Sequence, residues 1–512
     1  MFWFCGFETK LNILIQETML SIGFDLGSSS VKAVLYNNQT KKVLATASYP
    51  DREMKMNAPK ENWAEQHPED WWENVLKVTN RLFEKTEEPR NKVTAIGVAY
   101  QMHGLVTLTN TGAVVRPAII WCDSRAVEVG NKAFEQIGAE KCLESMLNSP
   151  GNFTASKLAW IKENEPEAYQ QIAKIMLPGD YIAYKFTNQI TTTATGLSEG
   201  VLWDFKKEEL SKTIVDHFGF ATDLFPKIVP VFANQGQIST EMATKFGFSP
   251  KAMVSYRAGD QPNNAFSLNV LKAGEIAATG GTSGVVYGVV DQLKYDVNQR
   301  VNTFAHINHS INDRKLGVLL CINGTGSAYA WLRNNLASDK DYFELEKMAQ
   351  EVASGAEGLS FLPFGNGAER MLNNQIVGAQ FEGLQFAKHG LNHMVRACLE
   401  GIAFSFVYGI RCMKELGLNP KVIKVGNDNM FQSQIFATTI ATLTEAEIQV
   451  KETSGAVGAA IGAGYGAGEI ESLEAAFAQE NNIKTHQADS QQKEALETAY
   501  QKWLKALESK LK

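Results

Sequence analysis

The amino-acid sequence predicts an α/β protein built of two related halves that close on a cleft, and three observations predict it. A chain of 512 residues is too long for one ordinary hydrophobic core and suits two domains. Its 44 % hydrophobic and 21 % charged residues are globular proportions, neither disordered nor fibrous. A strand–turn–strand unit with a Gly/Ser/Thr turn occurs once near the start, as DLGSSSVK, and again about half a chain later, as TGGTSG. Two turns of like chemistry at that spacing suggest a duplicated fold, each half supplying one wall.

The elements follow in order. SIGFDLG enters the first tight turn, VKAVLYNN follows, and KVLATASYP returns after NNQTK, giving three short strands over residues 21–50. A glycine turn between strands differs from a dinucleotide or P-loop unit, where the turn opens a helix. WAEQHPEDWWENVLKVTNRLFEK has a Pro-Glu-Asp start and apolar residues at helical spacing. KVTAIGVAYQ then reads as a buried strand. In the second half GEIAATGGTSGVVYGVV repeats strand, turn, strand. KVIKVGNDNMFQSQIFATTIATL reads as a strand ending at Val425, a turn over 426–429, and a helix whose N-terminus could face a nucleotide. GAVGAAIGAGYGAG is a helix of small residues that permits close approach to another helix or to a flat ligand such as adenine. The domain change is expected near residues 250–258, giving domains 19–255 and 256–512. Residues 1–18 are expected to be an extension upstream of Met19, outside the core.

Charge and cysteine usage exclude several classes. With 49 Lys and Arg against 56 Asp and Glu, the net charge is −7, so no basic surface dominates, and neither nucleic acid nor membrane is expected as a partner. Six scattered cysteines with no CxxC pair support neither a zinc ribbon nor a disulfide framework. No apolar run reaches the roughly 18 residues that span a bilayer. The first residues carry Glu8 and Glu17 and lack a basic region or small-residue cleavage site, so a cytoplasmic location is expected.

Chemistry concentrates in a few polar interruptions. In DLGSSSVK, Gly27 lets the backbone approach an anion and Ser28, Ser29 and Ser30 offer donors. Lys32 adds a cation, and Asp25 at the strand end suits a hard metal ion. An ordinary Ser-rich hairpin is the plain alternative for either turn alone. RAGDQPNNAF places Asp260 beside Gln261 after a strand. Phosphoryl transfer to an alcohol asks the protein for positioning, charge neutralisation and a base near the hydroxyl, and a carboxylate at a strand's end suits that base. The plain alternative is an Asx-turn. In YQMHGLV, Met102 and His103 follow a buried strand, where the imidazole could bond sugar hydroxyls or simply pack. The pairs His306/His309 and His389/His393 have metal-like spacing without an obvious third ligand.

IGFDLGSSSVKAVLYN, WAEQHPEDWW, GVAYQMHG, PAIIWCDSRA, LPGDYI, RAGDQPNNAFSLNVLKAGEIAATGGTSG and LEGIAFSF stand in the order seen in the FGGY carbohydrate kinases, which the chain resembles over about residues 21–470. The resemblance implies two RNase H-like domains of the actin/hexokinase/Hsp70 type, with ATP and Mg²⁺ and a sugar bound in the cleft between them. It makes Asp25 the residue near Mg²⁺, Gly27, Ser28, Ser29, Ser30 and Lys32 the first phosphate loop, and Gly281 and Thr282 the second. Asp260 becomes the general base, Met102, His103 and Gln261 sugar contacts, and Gly426 and Asn429 neighbours of the adenosine. QMHG is similar to the xylulokinase branch, implying phosphorylation of D-xylulose to D-xylulose 5-phosphate. Xylulokinases commonly read GDN where this chain has Gly259, Asp260 and Gln261, so sedoheptulose, L-ribulose or another polyol stays open. From a different class, an actin-like ATP-dependent switch would need neither Asp260 nor QMHG. A homodimer is compatible with such a chain.

Overall fold

The computed structural model describes residues 19–427, 429–478 and 482–511; the expected extension, 1–18, lies outside them. Two mixed sheets organise the chain. In the first, β1 (Leu20–Leu26), β2 (Val31–Asn37) and β3 (Lys42–Tyr49) form an antiparallel meander. β4 (Val93–Tyr100) joins parallel to β1, and the sheet continues with β5 (Phe232–Gln237) and β6 (Met253–Gly259) in the order β5-β6-β4-β1-β2-β3. In the second, β7 (Ile276–Gly280), β8 (Gly284–Val290), β9 (Asn302–Ala305), β10 (Leu316–Ile322), β11 (Val422–Gly426), β12 (Glu447–Lys451) and β13 (Asn482–His486) take the order β9-β10-β8-β7-β11-β12-β13.

The two orders match strand for strand. A meander of three, two strands added parallel to its first member, and an antiparallel edge strand occur in both, with β9 extra in the second. The half-length repeat is therefore a duplicated topology, and the two Gly/Ser/Thr turns hold the same place in it, between the first two strands.

Both faces of the first sheet are covered, which is why β1 is buried almost throughout. On one face Leu20, Ile22, Phe24 and Leu26 share a core with Trp71, Trp72 and Val75 of α1 (Pro68–Phe83). Pro68 at its first position, Glu69 and Asp70 in its first turn, and a bond from the Glu69 N–H to His67 Nδ1 start this helix where the sequence places it. Between β4 and β5 the chain makes an excursion that carries α2 (Thr154–Asn164) and α3 (Ala194–Glu199). This excursion reaches the second sheet's edge, where the Asn148 side chain bonds both backbone groups of Thr303 and Ser198 Oγ accepts from the Ala305 N–H.

The strand β6 leads directly into α4 (Asp260–Ser267), which touches strands of both sheets. The division expected between 255 and 256 falls inside β6, which is hydrogen-bonded to β4; we place it instead after α4, within residues 268–275. The second half carries α5 (Gly326–Leu336), α6 (Leu391–Glu415), α7 (Gln434–Thr444) and α8 (Gly455–Gly466). The helix α8 does not stay with its own sheet. It returns to the second face of the first sheet, lying on β1 and β4. Backbone meets backbone there: a Cβ on Gly23 would stand 2.1 Å from the Ala456 carbonyl oxygen, and one on Gly97 2.0 Å from that of Ala459. The run of small residues thus serves a sheet and the neighbouring α4, not a flat ligand.

Candidate active site

Asp25 sits one residue before the end of β1, paired across the meander with Lys32. Burial pushes its carboxyl above the ordinary range, and the Lys32 ammonium opposes that shift. A Cβ on Gly455, at the start of α8, would stand 2.6 Å from Asp25 Oδ2, so glycine is what lets this helix start beside the carboxylate. The turn that follows is held from several sides. The Gly27 N–H donates to the Ser30 carbonyl at 3.0 Å, Gln66 Nε2 to the Ser28 carbonyl at 2.7 Å, and the Met54 N–H to the Ser29 carbonyl at 2.8 Å. The Gly27 amide is thus spent within the turn. The turn, Asp25 and Lys32 line a cavity of about 270 Å³ together with Gln101, Trp121 and Asp260.

Asp260 enters that cavity from the first residue of α4. Burial and the nearby Asp25 carboxylate push its carboxyl up to about 7, against hydrogen bonds from Gln261 that favour ionisation. Gly259 before it has no room for a side chain, since a Cβ would stand 2.5 Å from Glu199 Oε2 and 2.6 Å from Met102 Cγ. That contact places Met102 and Glu199 beside the residue preceding Asp260. Met102 is buried. His103 is half-buried, with its ring 4.8 Å from Phe153 and 5.3 Å from Phe304 of β9, so both halves of the molecule meet at it. Gln261 is half-buried at the next position of α4.

The second turn faces a larger space. Gly281 and Thr282 line a cavity of about 570 Å³ with Gly326, Tyr329, Tyr342, Phe343, Glu346 and Met430 among its walls. The turn is strapped to the start of α5, whose Gly326 and Ser327 N–H groups donate to the Gly281 and Thr282 carbonyls at 2.9 and 3.1 Å. A Cβ on Gly326 would stand 2.4 Å from the Gly281 oxygen. Gly426 ends β11, and the short turn Asn429–Gln432 after it brings Met430 and Gln432 into the cavity wall. The Asn429 side chain lies outside the described residues.

The N-terminus of α7 is already occupied. Ser433 Oγ accepts the Phe436 N–H, Glu346 Oε1 accepts the Ile435 N–H, and Ser433 donates to Glu346 Oε2 at 2.7 Å. A carboxylate takes the place that the sequence reading left open to a nucleotide. The pair His306/His309 is structural as well. His306 is bonded to Tyr287 and the Val270 carbonyl, and His309 to Glu208. Among the described residues no three His, Cys, Asp or Glu side chains cluster as a metal site, and the five described cysteines are free. No helix among them is long and apolar enough to cross a membrane.

The first cavity therefore joins two carboxylates, both elevated by burial, to a Ser-rich turn, and the second joins a glycine turn to aromatic walls. The first can hold a cation and accept a proton; the second can take a flat group whose polar end meets the turn. Sequence reasoning missed Gln101, Trp121, Lys157, Glu199, Tyr329, Phe343 and Glu346. Trp121 stood in the run PAIIWCDSRA, but nothing in its spacing joins it to Ser28, whose Oγ lies 3.5 Å from its indole Nε1.

Comparison with known proteins gives the family and the fold. The sequence matches the FGGY family of carbohydrate kinases, N-terminal domain, over residues 20–267 and the C-terminal domain over residues 276–467. It is 30 % identical over 465 residues to the xylulose kinase of Bacillus subtilis, spanning 88 % of this chain and 89 % of that protein. The fold is similar to that of a ligand-bound xylulose kinase from Lactobacillus acidophilus, with a TM-score of 0.87 at 21 % identity over 96 % of this chain and 98 % of the other. A gluconate kinase from Lactobacillus acidophilus is as similar in fold, with a TM-score of 0.86 at 21 % identity and the same coverage. With its duplicated actin- and hexokinase-like sheets, the chain belongs to the FGGY family of carbohydrate kinases and is a sugar kinase.

Proposed function

We propose that this kinase transfers the terminal phosphoryl group of ATP to the terminal primary hydroxyl of a ketose, D-xylulose, to give D-xylulose 5-phosphate. The observation that carries the reading is Asp260, set at the head of α4 in one cavity with Asp25 and the Gly27–Ser30 turn. An ionised Asp260 takes the proton of the attacking hydroxyl as the new bond to phosphorus forms. Met102, His103 and Gln261, on the flanks of that carboxylate, hold the sugar. The names of the relatives, xylulose kinase in Bacillus subtilis and in Escherichia coli, support a ketose of this size.

Asp25 is the residue that would hold Mg²⁺, directly or through water. A lone carboxylate fits an ion that keeps most of its ligands from phosphate and water, and a cation there would offset the Asp25 charge that helps to raise Asp260. Bound Mg²⁺ neutralises charge on the phosphate oxygens. Ser28, Ser29, Ser30 and Lys32 on one side, with Gly281 and Thr282 on the other, take the phosphates, and the aromatic-walled cavity next to Gly426 and Asn429 takes the nucleoside. Because the two turns belong to different sheets, transfer requires the halves to approach, which also excludes water. The free thiols suit a reducing compartment, and we place the reaction in the cytoplasm.

The test is an ADP-release assay over a panel of ketoses, aldoses, polyols and aldonic acids. D-xylulose is expected to give the highest kcat/KM. A higher value for gluconate, sedoheptulose or L-ribulose would replace the substrate and keep the kinase; ATP hydrolysis unaffected by every sugar would overturn both.

A further inference from the structure

The backbone of His103 lies in the left-handed region, with φ 62°, where a residue with a Cβ is uncommon and needs outside support. That support comes from two buried residues far away in sequence. The His103 N–H donates to Glu199 Oε1 at 3.2 Å. Its carbonyl accepts from the Lys157 ammonium at 2.8 Å, and the same ammonium donates to the Ile120 carbonyl at 3.0 Å. Lys157 and Glu199 stand on α2 and at the end of α3, and both are buried.

The ring is anchored on the same element. His103 Nδ1 lies 2.8 Å from the backbone oxygen of Glu199. A carbonyl oxygen has lone pairs and no hydrogen, so Nδ1 must carry the proton of this bond. In a neutral imidazole Nε2 is then a bare acceptor, and no protein donor or carboxylate among the described residues lies within hydrogen-bond distance of it. The groups facing the ring are Lys157, which burial lowers to about 7, the Arg370 cation, the Glu199 backbone carbonyl, and the Phe153 and Phe304 rings. We propose that Glu199 and Lys157 are positioning residues that present His103 to the sugar in its Nδ1–H form, as a hydrogen-bond acceptor only. The substrate must then place a donating hydroxyl against Nε2, and a carbonyl or carboxylate oxygen is rejected there because two acceptors would face each other. Burial and the Lys157 charge push the imidazole down to about 3, so the neutral ring persists across the physiological range.

This inference rests on the reading of His103 as a sugar contact, and two measurements keep the two apart. The first is imidazole ¹⁵N NMR of the full-length, ligand-free enzyme across neutral pH. The expected result is a protonated Nδ1, a bare Nε2 and no titration; a ring that titrates near pH 7, or carries its proton on Nε2, overturns the proposal and leaves the sugar contact standing. The second is kinetics with D-xylulose and with analogues that keep the accepting C5 hydroxyl and carry fluorine, an acceptor only, in place of the C1, C3 or C4 hydroxyl, one at a time. One position is expected to lose about tenfold or more in kcat/KM, and His103→Ala is expected to erase that discrimination. Glu199→Ala should raise the sugar KM about tenfold with the ATP KM little changed, and Glu199→Gln, which keeps an acceptor for the His103 N–H, should restore it. Fluorine tolerated at every position overturns the proposal. A His103→Ala enzyme with an unchanged sugar KM removes His103 from the sugar, and the proposal falls with that reading.

Discussion

The two Gly/Ser/Thr turns occupy the same position in two copies of one topology, yet they face different spaces. The first opens on about 270 Å³ lined by Asp25, Lys32 and Asp260, the second on about 570 Å³ with Tyr329, Tyr342 and Phe343 in its walls. Duplication supplied two Gly/Ser/Thr turns, and the elements packed around each turn decided its surroundings. At the first turn α4 and α8 converge, bringing a second carboxylate and a glycine that leaves Asp25 room. At the second, α5 clamps the turn by its carbonyls, and the aromatic side chains beyond it offer an apolar wall. One copy lies beside two buried carboxylates, the other beside aromatic walls.

The largest effect should come from the charged end. Asp260→Asn keeps the shape and an acceptor for the sugar but removes most of the basicity, so turnover should fall roughly 10²- to 10⁴-fold. Calorimetric affinities for sugar and ATP should change far less. A near-normal turnover would take Asp260 out of the mechanism and leave Asp25 as the next carboxylate to test. The larger cavity should respond in the opposite way: Gly326→Val presses on the Gly281 oxygen and should weaken ATP binding about ten- to a hundredfold, as overpacking of roughly 1–3 kcal/mol would. The sugar KM should stay within a few-fold; equal losses for both substrates would mean that the two ends are not separable.

Acidity offers a finer probe. Because a base must be ionised, kcat/KM should fall as pH drops through about 7 before Mg²⁺ binds, and the cation should move that inflection lower. Stability carries the opposite sign. The folded-state pKa of Asp260 lies above its ordinary value, so ionising it costs folding free energy, a penalty absent below about pH 4 and complete above about pH 7. Asp260→Asn should therefore raise Tm at pH 8 and leave it unchanged near pH 4; a gain of the same size at both would point to packing instead. The smallest effect is expected at Lys32, which is exposed. Lys32→Met should raise the ATP KM only a few-fold at low salt, and the difference should fade at high ionic strength.

Much of this molecule was legible in its residues. The meander strands, the start of α1, and the two turns follow from alternation, capping and glycine placement, which are local and leave a mark within ten or twenty residues. Asp25, Asp260 and the Gly27–Ser30 turn were nameable one by one for the same reason. Their meeting was not. A division near residue 255 would pass through β6, which is a strand of the first sheet only through its bonds to β4, a pairing made across about 160 residues. The small-residue run was readable as a surface for close approach, but its partner, the glycine positions of β1 and β4, lies some 360 to 430 residues back along the chain. Glu199 and Lys157 had no signal at all, being single charged residues in unremarkable helices until the fold buries them against His103. Local chemistry is written in adjacent residues; convergence depends on which sheet a helix returns to, and only long-range packing decides that.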